Sequence, residues 1–234
     1  MNKFGINLPK AYRRLEQLYD ETVELASEDD IIADVGTDHG YLAVMLAKNH
    51  VGLKIIATDI SEPSLKKAES LARSQNAQLE CRVGDGLAPA NEATLACICG
   101  IGGNEIIKIL EDSKFCGKLI LQPVPTEKDL RNYLLKAGYF IKKDYVILDE
   151  GKFYFVFVVD GKKHKNHYSK KDKMFGKTNL KHITPDFQEY LKNQINKLKF
   201  LENFDITSLS KESKKDIKQK QQYLKMCKKL LKRG

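Results

Sequence analysis

Two glycines and two aspartates lie close together where an apolar segment of the chain meets an amphipathic one. The apolar residues 31–35 run into the order Asp34-x-Gly36-x-Asp38-x-Gly40. Glycine suits a sharp turn, often at positive φ, and it lets a ligand approach the backbone closely. A helix that begins at this turn would present free N–H groups to that ligand. The segment is therefore a candidate small-molecule site.

The charge of this turn indicates which ligand it could hold. A dinucleotide site usually has the order G-x-G-x-x-G, which leaves room for a pyrophosphate. Here Asp34 and Asp38 would repel a pyrophosphate but attract the ammonium and sulfonium groups of S-adenosylmethionine. We therefore expect S-adenosylmethionine as the cofactor, and we expect Asp34, Gly36, Gly40 and Tyr41 to help bind it.

Two further carboxylates follow the next two predicted strands. Asp59 lies 19 residues beyond Gly40, a spacing at which an acid can accept both ribose hydroxyls. Asp85 lies between two glycines and can accept a hydrogen bond from the adenine amino group. Open parallel sheets bind ligands at the carboxyl ends of their strands. The predicted cofactor-binding residues of these two turns are Asp59, Ile60, Asp85 and Gly86.

An alternation of strands and helices must position these residues. The predicted strands are 31–35, 54–58, 79–83, 94–99 and 117–121, and the predicted helices are 10–26, 40–49, 62–75, 103–112 and 126–137. This alternation predicts an α/β protein with a parallel sheet covered by helices on both faces. Segments 144–149 and 153–159 add a terminal antiparallel hairpin. We therefore expect a Rossmann-like, class I methyltransferase sheet of seven strands.

The chain changes character after residue 160. Residues 161–184 are polar and rich in lysine, which predicts a connecting loop. Pro185 then opens a helical stretch, and a second helical stretch follows the loop 203–210. Their apolar residues recur at steps of 3, 4 or 7, as in two helices packed into an antiparallel, coiled-coil-like hairpin. The predicted domains are 1–160, a methyltransferase domain, and 161–234, a basic helical domain that binds nucleic acid.

Charge is distributed unevenly between these two parts. The net charge is +9, yet residues 1–160 are acidic, and residues 161–234 carry 21 Lys and Arg against 7 Asp and Glu. A general bias toward lysine, which supplies 34 of the 40 basic residues, leaves the acidic first part unexplained. The asymmetry favours a polyanionic partner for the C-terminal part.

Composition limits the remaining possibilities. The five cysteines are odd in number and lack C-x-x-C spacing, as expected for reduced thiols of a cytoplasmic protein. No window approaches the roughly 20 apolar residues of a membrane span, so we expect no membrane partner. His50, His164, His167 and His182 lack acid or cysteine partners at ligand spacing, which predicts no metal. The narrow apolar stripe of the C-terminal helices is filled by their own hairpin, which favours a monomer.

At several of these motifs the chain resembles the bacterial tRNA (adenine(22)-N1)-methyltransferases, the TrmK family. The resemblance covers nearly the whole chain, and its motifs are 34–42 (DVGTDHGYL), 84–87 (GDGL), 99–103 (CGIGG), 119–123 (LILQP) and Arg14-Leu15. It implies a methyltransferase domain followed by a helical C-terminal domain. It also implies methyl transfer from S-adenosylmethionine to N1 of adenosine 22 in tRNA.

The implied reaction needs little acid–base catalysis from the protein. N1 of neutral adenosine has a lone pair and no proton, so orientation toward the sulfonium methyl and exclusion of water can suffice. The glycine-rich 100–103 offers backbone and close approach, whereas methylation of the exocyclic amine would want an Asn or Asp beginning a proline-containing motif. Gly100 is expected at the cofactor. The predicted catalytic residues are Asp38, His39, Gly102, Gly103, Gln122 and Pro123.

Several assignments remain open from sequence. His39 fits a turn histidine that bonds the backbone as well as one that places the cofactor, and Tyr41 fits a buried helix residue better than a stacking one. Arg13 and Arg14 could cover the pocket and touch phosphate, or be ordinary solvated arginines. A methyltransferase for a small molecule or protein, and a nonenzymatic RNA-binding protein with this fold, are the alternatives. The acidic turn and terminal hairpin disfavour an NAD-dependent oxidoreductase.

Overall fold

Seven strands form a mixed sheet in the computed structural model, which describes residues 4–6, 12–161, 167–202, 204–207 and 209–233. The strands are β1 Ile31–Val35, β2 Lys54–Asp59, β3 Glu80–Val83, β4 Leu95–Ile101, β5 Lys118–Pro123, β6 Ile141–Asp149 and β7 Lys152–Asp160. Their order is β3-β2-β1-β4-β5-β7-β6. Strands β1 to β5 are parallel, and β7 runs antiparallel to both β5 and β6. The predicted parallel sheet with a terminal hairpin is confirmed.

Helices connect these strands and extend beyond them. They are α1 Arg13–Leu25, α2 Tyr41–Asn49, α3 Glu62–Ser74, α4 Gly103–Ser113, α5 Glu127–Lys136, α6 Lys170–Phe175, α7 Lys177–Lys181, α8 Pro185–Leu198 and α9 Lys211–Leu231. The first five agree with the predicted helices to within a few residues, although residues 10 and 11 lie outside the described ranges. Helices α8 and α9 pack against each other, as predicted, while their coiled-coil-like character stays a prediction.

The prediction of a connecting loop over 161–184 is wrong for its second half, where α6 and α7 lie; residues 162–166 are outside the described ranges. Ser169 and Asp172 form a capping box that starts α6, and such reciprocal caps satisfy otherwise orphaned N–H groups. Both helices have only five or six residues. They are stable through packing rather than an apolar periodicity, which is why the sequence pattern does not reveal them.

The C-terminal helices share a hydrophobic core with the sheet. Phe175 and Phe187 are fully buried, and the ring of Tyr190 packs edge-on against Phe155 of β7. All four belong to one cluster of buried side chains with the sheet residue Phe157. The boundary between domains 1–160 and 161–234 stays a prediction, and the two parts bury their apolar faces together.

A buried ion pair links the sheet to the helices that pack against it. The Nε of Arg131 on α5 donates to Oδ2 of Asp144 on β6 at 2.9 Å, and both side chains are fully buried. Oδ1 of Asp144 accepts a hydrogen bond from the backbone N of Thr178 on α7. Burial raises the pKa of the Asp144 carboxyl, against the opposing effect of the Arg131 charge. The pair thus links the sheet to the C-terminal helices.

The strand order reverses between β1 and β4. Strands β2 and β3 extend from one side of this point, and β5, β7 and β6 extend from the other. The connections diverge there and leave a crevice beyond the carboxyl ends of the strands, where open α/β sheets hold their ligands. Among the helices in the described ranges, none is long and apolar enough to cross a membrane.

Candidate active site

A cavity of about 790 Å³ lies at this reversal point, and its volume is within the range typical of small-molecule sites. Its lining includes Asp34 near the end of β1, Asp59 at the end of β2 and Asp85 just after β3. The predicted convergence of these carboxylates is therefore confirmed. The other predicted site residues in the lining are Gly36, Asp38, His39, Tyr41, Ile60, Gly86, Gly100 and Gln122.

Asp34 is a carboxylate inside a buried strand. It is 5% exposed, and Thr37 Oγ1 donates a 2.6 Å hydrogen bond to its Oδ2. Burial raises the pKa of Asp34 to about 6, although the hydrogen bond from Thr37 opposes this shift. Neutral pH still leaves the group mostly ionised. A cationic ligand in the cavity would find an acceptor already shielded from bulk water.

The turn after β1 depends on glycine for two different reasons. Gly36 has a φ of +71°, and its N–H bonds the Thr58 carbonyl at 2.8 Å. Gly40 has a φ of +72°, and a Cβ at this position would lie 2.5 Å from the Cβ of Ala68 on α3. Gly40 does not line the cavity. It allows the start of α2 to pack closely on α3, which shapes the turn from behind.

Asp59 is fixed by backbone N–H groups at the end of β2. Its Oδ2 accepts from the N–H of Asp38 at 3.2 Å, and its Oδ1 accepts from the N–H of Ser61 at 2.8 Å. Each carboxylate oxygen has a second lone pair for a ligand. The Asp38 contact also joins the turn after β1 to the turn after β2.

Asp38 and His39 lie at the open mouth of the cavity. His39 Nδ1 is 2.7 Å from Asp38 Oδ2, and the two side chains are 48% and 64% exposed. The His39 ring stacks on Tyr41 with centroids 5.9 Å apart. Lys67 places its Nζ 4.0 Å from Asp38. These groups can meet a large substrate that approaches from solvent.

The remaining predicted residues lie on or just after β4 and β5, and only some of them line the cavity. Gly100 lines the cavity, next to an irregularity in the register of β4 against β5. Gln122 also lines it and is fully buried. Gly102, Gly103 and Pro123 are not in the lining: Gly102 caps α4, Gly103 packs against Thr126, and Pro123 ends β5.

Arg14 is a cavity residue that the sequence left unassigned. Its Nη1 donates to Oε1 of Gln122 at 3.1 Å, and its guanidinium carbon lies 4.5 Å from the centroid of the Tyr154 ring. The neighbouring Arg13 instead pairs with Asp186 on α8 at 2.8 Å. Two adjacent arginines thus have different roles, which only the packing of α1 decides.

Other lining residues carried no sequence signal strong enough to select them. They are Leu15, Leu18, Val35, Thr37, Leu42, Thr58, Ser64, Gly84, Cys99, Ile101 and Glu105. Most flank a predicted residue, so their selection would have required knowledge of which side chains face the crevice. Among the described residues, no three His, Cys, Asp or Glu side chains are grouped as ligands of a metal ion.

The sheet order, the terminal hairpin and the cavity at the reversal point define a class I methyltransferase fold. Residues 32–230 match the family model of tRNA (adenine(22)-N(1))-methyltransferase, named TrmK, and the chain belongs to this family.

A curated relative and two solved structures agree with this assignment. The tRNA (adenine(22)-N(1))-methyltransferase of Bacillus subtilis is 32% identical over 155 residues, which span 63% of this chain and 65% of that protein. A candidate tRNA (m1A22) methyltransferase of Streptococcus pneumoniae, crystallised with S-adenosyl-L-methionine, has a TM-score of 0.76 and 28% identity, covering 94% of this chain and 98% of that one. The crystal structure of B. subtilis TrmK has a TM-score of 0.78 at 24% identity, covering 94% and 97%, and shares the fold.

Proposed function

We propose that the protein transfers the methyl group of S-adenosylmethionine to N1 of an adenosine in tRNA, with adenosine 22 as the target. The observation that carries the proposal is the convergence of Asp34, Asp59 and Asp85 on one cavity. Membership of the TrmK family supports the choice of substrate. The related S. pneumoniae protein binds S-adenosyl-L-methionine, which supports the choice of cofactor.

The donor groups of the cavity fit this cofactor in sign and order. Asp34 would hold the ammonium group, Asp59 the ribose hydroxyls and Asp85 the adenine amino group. Gly36 and Gly100 leave the backbone open beside the ligand, and Tyr41, Ile60 and Gly86 complete the surroundings. Gly40 acts from behind by shaping the turn. When bound, S-adenosylmethionine supplies an electrophilic methyl group.

The residues of this chain then have to orient the base and stabilise the positive charge that develops on it. Adenosine N1 needs no general base, so placement in line with the methyl group carries much of the rate enhancement. Methyl transfer moves positive charge toward the base, and carboxylates fixed in the site stabilise that charge in the transition state. Asp38 and His39 at the mouth, and Gln122 in the wall, border the space for the base. Gly102, Gly103 and Pro123 hold α4 and β5 in position.

The substrate must expose its base before it can react. N1 lies on the Watson–Crick edge, so the target adenosine has to be unpaired or extruded from its stack. The C-terminal part would hold the rest of the tRNA. Lys211, Lys214, Lys215 and Lys218 line one groove on α9, and such a cluster can bind RNA phosphates independently of sequence. We further propose that the protein acts as a monomer in the cytoplasm.

Mass spectrometry of nucleosides tests the reaction directly. Unmodified tRNA incubated with the protein and S-adenosylmethionine should yield 1-methyladenosine, and sequencing should place it at position 22. Asp59→Ala and Asp85→Ala should lose most of this product because their hydrogen bonds to the cofactor are lost. Glu69→Ala, which removes an exposed carboxylate on α3 away from the cavity, is the matched control. A methyl group on N6, or no methylated tRNA, would refute the proposal.

Calorimetry separates this function from its alternatives. A nonenzymatic RNA-binding protein would bind tRNA without binding S-adenosylmethionine. A methyltransferase for small molecules or proteins would bind the cofactor but leave tRNA unmethylated.

A further inference from the structure

The charges around the cavity are unbalanced. Five of its lining residues carry carboxylates, namely Asp34, Asp38, Asp59, Asp85 and Glu105. Arg14 is the sole Lys or Arg in the lining within the described parts of the chain. An arginine in such surroundings would be expected to pair with a carboxylate, and yet the guanidinium of Arg14 forms no ion pair with any described residue. Its charge is therefore available to a ligand.

The Arg14 side chain is nevertheless held in place. The neutral amide of Gln122 accepts one of its N–H groups, and the ring of Tyr154 lies beneath its guanidinium carbon. The backbone N–H of Arg14 bonds Oδ2 of Asp149 at 3.1 Å, which fixes the start of α1 against β6. Its Nε is buried and has no hydrogen-bond partner. A guanidinium has five N–H donors, so most of this donor capacity is not used by the protein.

Arg14 and Asp34 lie on the same part of the cavity wall. Asp34 on β1 pairs with Cys97 on β4. Two residues further along β4, Cys99 pairs with Gln122 on β5, and Gln122 accepts the hydrogen bond from Arg14. Cys99 itself lines the cavity at the end of β4. A cation and an anion thus flank one region without pairing with each other. Such an arrangement complements a zwitterion with an ammonium and a carboxylate on neighbouring atoms.

We propose that Arg14 binds the α-carboxylate of the methionyl part of S-adenosylmethionine, opposite the ammonium group held by Asp34. The proposal rests on the proposed function and adds a binding residue from α1 to it. The carboxylate is the anionic group of the cofactor, and five protein carboxylates would repel it in the absence of a cation. The planar, bidentate donor geometry of arginine suits a carboxylate.

A ligand that lacks this carboxylate gives the sharpest test. Calorimetry would compare S-adenosylmethionine with decarboxylated S-adenosylmethionine, using wild type, Arg14→Gln and Arg14→Lys. The measured quantity is the ratio of the two affinities in each protein. We expect Arg14→Gln to lower the preference for the carboxylate-bearing ligand by about 30-fold, which is the change for loss of ~2 kcal/mol from a charge pair. Arg14→Lys should retain part of the preference.

Arg13→Gln is the matched control because it removes the same charge one residue away, where the guanidinium pairs with Asp186. It should leave the affinity ratio unchanged. Equal weakening of both ligands in Arg14→Gln would overturn the proposal in favour of a purely structural role. Unchanged binding of both ligands, with a raised KM for tRNA, would overturn it in favour of a phosphate contact. If wild type bound neither ligand, the proposed function itself would fail.

Discussion

Thr37 donates its hydroxyl hydrogen to the carboxylate of Asp34 across a distance of 2.6 Å, at a point where Asp34 is 5% exposed. The hydrogen bond stabilises the ionised carboxylate, whereas burial favours the neutral acid. Burial has the larger effect, and the pKa of Asp34 is raised to about 6. A proposed cofactor-binding group that titrates so close to neutrality should make binding and stability sensitive to pH in opposite directions.

Binding of S-adenosylmethionine should weaken in acid because the ammonium group requires ionised Asp34. We expect the dissociation constant to increase about tenfold per pH unit below pH 6, as one linked proton requires. Calorimetry between pH 5 and pH 8 checks this slope. Asp34→Asn should bind weakly with much less dependence on pH. A wild-type affinity that stays constant from pH 7 to pH 5 would contradict the assignment of Asp34.

The folding stability of the cofactor-free protein should decrease, rather than increase, as the pH rises. The native state holds the Asp34 proton more tightly than the unfolded chain, whose pKa is near 3.8, so this group lowers stability as pH rises from about 4 to about 6. The loss should be about 3 kcal/mol. Asp34→Asn should therefore be more stable than wild type above pH 6, as measured by urea denaturation without cofactor. Equal stability at pH 7 would refute this expectation.

Gly40→Ala should destabilise the protein by about 3 kcal/mol. The new methyl group would meet Ala68 at 2.5 Å, and the backbone has a φ of +72°, which costs an alanine roughly 1 to 2 kcal/mol by itself. Gly138→Ala is the matched control, because Gly138 has a φ of +83° with nothing within 4 Å. It should therefore show the backbone cost alone. Equal losses for the two variants, in urea unfolding, would argue against the close packing of α2 on α3.

Arg131→Met should cost about 3 to 5 kcal/mol of unfolding free energy. The substitution leaves the Asp144 carboxylate buried without its cation, which is a severe penalty in a protein interior. Lys220→Met breaks the exposed Lys220–Asp216 pair on α9 and should change stability by less than about 1 kcal/mol. Chemical denaturation at pH 7 checks both. A small effect of Arg131→Met would mean that the C-terminal helices do not depend on the buried pair.

Replacement of four lysines on α9 should weaken tRNA binding and leave cofactor binding intact. The variant would carry Gln at Lys211, Lys214, Lys215 and Lys218, which line one groove. Each lost phosphate contact should reduce the slope of log affinity against log salt by about 0.7 to 0.9. Filter binding from 50 to 300 mM KCl measures this slope. The same slope for wild type and variant would place the RNA on another surface.

The sheet and its three carboxylates could be predicted from the amino-acid sequence. Strands and helices alternate with clear periodicities, and parallel strands end at one edge, so Asp34, Asp59 and Asp85 had to lie near each other once the alternation was recognised. The bounds of β1 agree with the prediction residue for residue. These are local signals, which a linear pattern can carry.

Which residues face the cavity became visible only in the folded structure. Arg14 meets Gln122 across 108 positions of sequence, and nothing near either residue specifies that contact. Gly103 and Pro123 belong to sequence motifs that reach the cavity, yet both residues are buried and neither lines it. Helices α6 and α7 are stabilised by packing against α5 and β6, where they bond the Arg131–Asp144 pair. Each of these outcomes depends on how distant segments pack together, whereas sequence patterns report only the conformation and burial of each segment.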